Sequence, residues 1–321
     1  MKNSRFKTIL SKIPDLNHDQ RVIIKDAVDH GSDMDCICDL LQQNFEQTPH
    51  CPHCQSKMII RNGFRSGLTR YRCKCCKKSF NALTGTPFAR LRNKERWLEY
   101  LQCMIDSKTV RKSADICCVH RNTAFRWRHR FLKDSHDSQP QLLSGLIEAD
   151  ETYFRKSHKG SNKLKRPPRK RGKEGAKRGL SKDQVCVLVA CDRNGNEVDY
   201  IAGTGPVSNQ WLQSHFKQHI SSDSILITDG AASFSLFCSK LDVKHKVVIN
   251  KEGMRVQGAY HIQNVNSYHS SLKTWMRRFN GVATKYLNNY LSWCHKLKCQ
   301  IDSPKLLLSE LIISKTPLTM T

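Results

Sequence analysis

Two acids and two pairs of cysteines carry most of the chemistry in this sequence. Asp150 ends the apolar climb of GLIEAD, and Asp229 ends that of SSDSILITDG. Asp at a strand end often serves only as a turn or cap residue. Two such carboxylates on one sheet edge, however, repel each other unless a cation lies between them. Mg2+ (or Mn2+) suits the pair, as a hard ion that prefers oxygen ligands and also binds phosphate. Ions held this way activate a water or a 3′-hydroxyl and stabilise the leaving oxygen in phosphodiester displacement. Glu151 follows Asp150 directly, and strand alternation sends it to the other sheet face if the strand continues.

Fifteen cysteines in 321 residues raise the question of disulfides. The odd count, the chain length and the single cysteines inside apolar runs, such as QVCVLVACD, favour reduced thiols. One cluster differs. Cys51-Pro-His-Cys54 and Cys73-Lys-Cys-Cys76 form two two-residue-gap knuckles, the spacing of a tetrahedral structural Zn2+ site. Cys51, Cys54, Cys73 and Cys76 are the expected ligands, with Cys75 and His53 as competitors inside the knuckles. Between them, Asn62-Gly63 is a hairpin turn signal and TRYRC a returning strand. Arg61, Arg65, Arg70 and Arg72 would let this ribbon touch phosphate as well.

The elements that position these groups follow a readable order. Residues 1–48 are helical, with a break at Gly31 and a restart at Ser32. Residues 49–88 form the ribbon, and 89–140 return to helix. Within SKTVRKSADICCVHRNTAFRWRHRFL, Ser113–Ile116 ends one helix and Cys117–His120 makes the turn. Arg121 begins a second helix, capped by Asn122 or Thr123. Ala114, Ile116, Val119, Phe125, Trp127 and Phe131 would form its small core. Arg121, Arg126, Arg128 and Arg130 would face DNA, as on the recognition helix of a helix-turn-helix. The bland alternative is a basic helical linker. From Leu146 onward the order is three strands, helix, strand, helix, strand, with a turn at Asn194-Gly195 and Ser208 capping the first helix. Helix dominates again from 265 to 297. The stretch 155–182, rich in Lys, Arg, Gly and Pro, reads as a loop whose cations, including Lys170 and Arg171, neutralise a polyanion.

Charge supports a polyanionic partner. Lys and Arg number 54 against 28 acids, a formal net charge of +26. Nucleic acid is the commonest partner of such a field. The sequence holds no apolar run long enough to span a bilayer and no signal-peptide core near Met1, so a cytoplasmic protein with no membrane partner is expected.

Taken together, the segments CPHCQSKMIIRNGFRSGLTRYRCKCCKKSFNALTGTPF, ADETYF, ILITDGAASF and VNSYHSSLKTWMRRFNGVATKYLNNYLSWC resemble the transposases of bacterial insertion sequences. More narrowly, they resemble the ISXO2-like group, which joins a zinc ribbon to a DDE-type catalytic domain. The resemblance implies an α/β fold: a ribonuclease H-like domain with a mixed sheet and flanking helices, preceded by the ribbon and the helix-turn-helix. The implied domains are 1–48, 49–88, 89–140 and 141–300, with 301–321 as a tail. The implied activity is Mg2+-dependent cleavage and strand transfer of DNA at terminal inverted repeats. A homodimer or larger assembly, acting at the bacterial nucleoid, would couple two ends.

Asp150 matches the family's first acid and Asp229 the second. Where the family's third residue is commonly Glu, this chain has Asn266, with Lys273 seven positions on. Asp150, Asp229, Asn266 and Lys273 are therefore the implied active set, the first three holding the ion. Asn keeps an oxygen ligand but removes a charge, which lowers metal affinity. Lys273 lies two helical turns after Asn266 and could steady a DNA phosphate. His269 stands three residues after Asn266, on a nearby face, as either a ligand or a packing residue. The rival class is a catalytically inactive, transposase-derived DNA-binding regulator; a metal nuclease acting on RNA is a third.

Overall fold

The computed structural model describes residues 3–132, 142–164, 167, 179–248, 258–298 and 303–313. The chain divides into one unit of residues 1–133 with 300–321, and a second of residues 134–299. In chain order the first unit holds α1 (Asn3–Lys12), α2 (His18–Gln47), β1 (Ile59–Arg65), β2 (Leu68–Cys73), β3 (Ser79–Asn81), α3 (Trp97–Ile105), α4 (Val110–Ile116) and α5 (Arg121–Phe131). The second unit holds β4 (Leu146–Arg155), β5 (Gln184–Asp192), β6 (Glu197–Thr204), α6 (Asn209–Phe216), β7 (Ile225–Thr228), α7 (Ala232–Leu241), β8 (Lys244–Val247), α8 (Gln263–Arg277) and α9 (Leu287–Lys298). Helix α10 (Pro304–Ile313) returns to the first unit.

Helix α2 starts with a reciprocal cap: Asn17 Oδ1 accepts from the Gln20 amide at 2.9 Å, and Gln20 Oε1 accepts from the Asn17 amide at 3.1 Å. It runs unbroken through Gly31, where sequence reading expects a stop. A single interior Gly costs only about 1 kcal/mol, and a 30-residue helix that buries Ile37, Cys38 and Leu41 tolerates it. Beside it, β1, β2 and β3 form a three-stranded antiparallel sheet in that order.

The hairpin between β1 and β2 turns at Ser66-Gly67, both at positive φ, and not at Asn62-Gly63. Asn62-Gly63 instead shifts the register between Arg61 and Phe64 as a bulge inside β1. Ser66-Gly67 has the backbone of a tight primed turn, which matches strand twist. A Cβ on Gly67 would lie 2.6 Å from Cys38 Sγ, so the close approach of this turn to α2 requires glycine as well. Phe45 of α2 meets Tyr71 at a tilt, at 4.8 Å between centroids, and Tyr71 stacks on Phe80 at 5.7 Å. Those rings and the knuckle cysteines make the ribbon's small core.

Helices α4 and α5 are joined by residues 117–120. His120 caps α5, its Nδ1 accepting from the Asn122 amide, where Asn122 or Thr123 was the expected cap. The core here is aromatic: Phe88, Trp97, Tyr100, Trp127 and Phe131 are buried in mutual ring contact. Ile116 and Phe125, expected in that core, are exposed instead. The 301–321 segment, expected as a tail, contains α10, which buries Leu307, Leu308, Leu311 and Ile312 and packs on α3 and α2.

The second unit is built on a five-stranded mixed sheet ordered β6-β5-β4-β7-β8. β4, β5 and β6 pair antiparallel as a meander, while β7 and β8 run parallel to β4. One face packs on α6 and α7 through Ile147, Ala149, Cys186, Leu188, Ala190, Leu212, Phe216, Phe234 and Phe237, all fully buried. The opposite face of β4 carries Glu148, Asp150 and Thr152 by alternation, and α8 lies against it. α8 is tied to α9 by a cluster of Trp275, Phe279, Tyr290 and Trp293 with centroids about 5–6 Å apart. Tyr268 of α8 donates to Asp199 of β6 at 2.5 Å, and Lys298 of α9 sits 3.9 Å over the Tyr268 ring. Among the described residues no helix is long and apolar enough to cross a membrane.

Candidate active site and metal-binding cysteines

Backbone pairing brings the two acids together. β4 and β7 are adjacent and parallel, with Ile147 opposite Leu226 and Glu148 opposite Ile227. Continuing that register two steps sets Asp150 beside Asp229. Asp150 does not end its strand as expected, because β4 runs on to Arg155; only β7 stops, at Thr228. β4 therefore overshoots its neighbour and leaves the two carboxylates at the step. Asp229 Oδ1 accepts from the Ala231 amide at 3.2 Å, and Gly230 at φ +95° lets the chain turn away.

Electrostatics at this step are strained. Burial pushes the Asp150 carboxyl up to about 6, and the neighbouring Asp229 charge adds to the rise. The Glu151 amide, donating to Asp150 Oδ1 at 2.8 Å, and the Lys273 ammonium pull the other way. Glu151 goes to the opposite face, where its Oε1 accepts from the Tyr153 hydroxyl at 3.3 Å. Burial and the Asp150 charge push it up to about 7. From α8, His269 places Nδ1 3.7 Å from Asp150 Oδ2. Its ring is 7 % exposed, and its Nε2 is buried with no hydrogen-bond partner in the protein. Burial, then the Lys273 charge, pulls the His269 imidazolium down to about 4, so the ring is neutral at pH 7.

Asp150, Asp229, His269 and Lys273 thus share one field. Asn266 is exposed on α8, one turn before His269, and Lys273 is exposed one turn after it. The donor set is hard and oxygen-rich, with a neutral imidazole beside it. That chemistry fits a divalent cation, which would relieve the mutual repulsion of the acids.

Sequence reading missed the most heavily bonded acid of the unit. Glu148 is fully buried two residues before Asp150 on the same face. Its Oε2 accepts from the backbone amides of Asn264 at 2.7 Å and Val265 at 3.1 Å. Its Oε1 accepts from Asn264 Nδ2 at 3.0 Å and pairs with an Arg193 terminal nitrogen at 2.7 Å. His261 Nδ1 stands 3.3 Å from the same oxygen. Arg193 also donates to His261 Nε2 at 2.9 Å and to the Ala259 carbonyl at 3.1 Å. The available signal was a glutamate inside the apolar run LIEA, on Asp150's alternation parity: a buried charge demands partners.

In the first unit, the Sγ atoms of Cys51, Cys54, Cys73 and Cys76 lie within 4.8 Å of one another, close enough to hold one metal ion. Cys75 points elsewhere, to Ser56 Oγ at 3.1 Å. The Cys76 and Cys75 amides hold the Cys73 thiol down to about 6, favouring the thiolate that a metal requires. Of the arginines expected to face DNA, Arg121 and Arg126 are exposed. Arg128 is fully buried, donating to the Lys108 carbonyl at 2.8 Å and Ser113 Oγ at 3.3 Å. Arg130 donates to the Pro87 and Ala89 carbonyls at 2.6 and 3.0 Å. Both hold the helices together rather than presenting a free cation, because α5 turns them toward neighbouring carbonyls. Lys170 and Arg171 lie outside the described residues.

The raised Asp150 value fixes a sign. An unfolded Asp ionises near 4, whereas the folded one stays protonated to about pH 6. Its contribution to stability is full below pH 4 and is lost as pH rises through 6. In metal-free protein, Asp150→Asn removes that loss. Denaturant unfolding should show D150N more stable than wild type at pH 7, by on the order of 2 kcal/mol, with the gap closing at pH 4. A gap that is unchanged with pH contradicts this electrostatic account.

Residues 142–294, which span the five-stranded sheet, α8 and most of α9, match the ISXO2-like transposase domain. The chain is 27% identical over 255 residues to an uncharacterized protein in transposable element ISH50 of Halobacterium salinarum, covering 78% of this chain and 86% of that one. A crystal structure of a pre-cleavage Mos1 transpososome aligns at 13% identity over 67% of this chain and 77% of that chain, with a TM-score of 0.22, too slight to carry a fold argument. Over residues 142–294, the chain is thus similar to the ISXO2-like transposase domain.

Proposed function

We propose that this protein is an insertion-sequence transposase that binds terminal inverted repeats and catalyses metal-dependent DNA strand cleavage and strand transfer. The observation that carries the reading is the convergence of Asp150 and Asp229 where the parallel strands β4 and β7 part, with His269 and Lys273 of α8 beside Asp150. Strand order β6-β5-β4-β7-β8, with an antiparallel meander followed by two parallel strands, supports a ribonuclease H-like reading of the domain.

In this reading Asp150, Asp229 and the Asn266 side-chain oxygen hold Mg2+ or Mn2+. The bound cation supplies an acidified water or 3′-hydroxyl and a counter-charge for the leaving oxygen. Asp150 and Asp229 orient the attacking group through their oxygens. Lys273, exposed at the same step, contacts a non-bridging phosphate oxygen and holds the strand in line. His269, neutral and mostly closed to solvent, keeps water from crowding Asp150 and can accept a hydrogen bond there. The Asn at 266 contributes one less negative charge than Glu, so the site needs more metal to fill it.

The first unit supplies DNA contacts. Arg121 and Arg126 on α5, and Arg61, Arg65 and Arg72 on the ribbon, are exposed. With a net charge of +26, they give binding that weakens with salt. The four-thiol cluster holds a structural Zn2+, since four sulfurs leave no open position for water. Joining two element ends calls for a dimer or larger assembly, working in the cytoplasm at the nucleoid.

Two measurements test this. Purified protein should contain one zinc per chain by elemental analysis. Cys51→Ser and Cys76→Ser should lose it and Cys75→Ser should keep it; zinc lost from C75S alone would refute the ligand set. With Mg2+ or Mn2+ and DNA bearing the element's ends, wild type should nick and join strands. Asp150→Asn and Asp229→Asn should lower that rate at least about 1000-fold while DNA binding persists. Binding without cutting by the wild type would instead make the chain a transposase-derived DNA-binding regulator.

A further inference from the structure

We propose that Glu148 is a positioning residue: it caps α8 from the sheet and thereby sets where Asn266, His269 and Lys273 stand relative to Asp150. The inference rests on the catalytic reading above and deepens it.

The segment before α8 caps only part of its start: His261 Nδ1 accepts from the Gln263 amide at 3.3 Å. Ile262 occupies the cap position and offers no side-chain acceptor. The first amides of a helix need partners from elsewhere. Glu148 provides them, taking the Asn264 and Val265 amides on one oxygen. A carboxylate there also meets the positive end of the helix dipole. Glu148 is therefore not an isolated buried charge but a joint between strand β4 and helix α8.

The joint is in register with the site. Glu148 and Asp150 are two residues apart on one face of β4, about 7 Å along the strand. Their partners on α8 are Asn264 and His269, five residues apart, about 7.5 Å along the helix. The helix therefore runs alongside β4 with two matched contacts, one at the cap and one at the acid. Asn266 lies between them and Lys273 one turn beyond. A slip at Glu148 moves all three together.

Arg193 and His261 hold the approach to the helix. Asp192 shapes the β5–β6 turn by accepting from the Asn194 and Asn196 amides, each at 2.9 Å, and from Asn196 Nδ2 at 2.9 Å. That turn delivers Arg193 to Glu148, His261 and the Ala259 carbonyl at once. The turn at the far end of β5 thus reaches the catalytic face through Glu148 and the segment that leads into α8.

The test uses the full-length chain as wild type, Glu148→Gln and Arg193→Gln. Gln at 148 keeps the size but puts an amide donor where donors already converge. Two readouts are taken: hydrogen–deuterium exchange without DNA, and Mn2+-dependent cleavage of DNA carrying the element's ends. For E148Q we expect faster exchange confined to 258–277 with β4, β5 and β6 unchanged, intact DNA binding, cleavage slowed about 100-fold, and a several-fold higher half-saturating Mn2+ concentration. Wild-type exchange across 258–277, or wild-type cleavage and metal requirement, overturns the proposal. If E148Q does not fold, R193Q decides: its side chain is partly exposed, and the same local exchange and raised metal requirement, in milder form, are expected. R193Q indistinguishable from wild type then overturns it. Absence of cleavage by the wild type refutes the catalytic reading, while the exchange experiment still decides the cap.

Discussion

Two carboxylates stand side by side, Asp150 mostly withdrawn from water and Asp229 exposed, and the second unit is arranged around that pair. Like charges at neighbouring strand ends repel, and the more buried member, Asp150, bears the larger effect. Main-chain pairing of β4 with β7, through Glu148 and Ile227, brings the acids that follow to neighbouring positions, and moving β7 away would break the sheet. A tightly packed core of Ile147, Ala149, Leu188, Leu226, Phe234 and Phe237 on the far face resists that break. The sheet thus stores an electrostatic strain at one step of its edge, where burial and a like charge lift Asp150 far above an ordinary carboxylate. A divalent cation is the natural means of relieving it.

The strained pair would be chemically idle without groups to address a substrate, and these come from a helix far along the chain. α8 lies over Asp150 because three separate devices hold it: a carboxylate at its first turn, Tyr268 bonded to Asp199 in its middle, and an aromatic cluster with α9 near its end. The first joins residues 116 positions apart and the second residues 69 apart, whereas the third links neighbouring helices. Non-local contacts of this kind form late in folding, so the site is complete only when the whole unit is.

Short-range features of this sequence are legible in it, and long-range ones are not. Element order from β4 to β8 was legible because apolar runs, the Asn194-Gly195 turn and the Ser208 cap are short-range features. Knuckle spacing picked out the four thiols that the structure gathers. Glu148 was invisible in its role because its partners lie 116 and 117 residues away, and nothing in LIEAD points to them. Asn62-Gly63 misled because a bulge and a hairpin turn use the same positive-φ residue; Ser66-Gly67 took the turn. Arg128 and Arg130 looked like solvent cations because composition does not reveal which helix face meets a carbonyl. Helix α10 reads as a tail in sequence because its docking surface is another helix about two hundred residues earlier.

The central claim is that Asp150 and Asp229 together hold a divalent cation. Calorimetric titration of Mn2+ into zinc-loaded protein, in the absence of DNA, tests it most directly. The account predicts saturable binding to wild type that is lost in both D150N and D229N, with the zinc content unchanged. Equal Mn2+ binding by wild type and the two variants would contradict it.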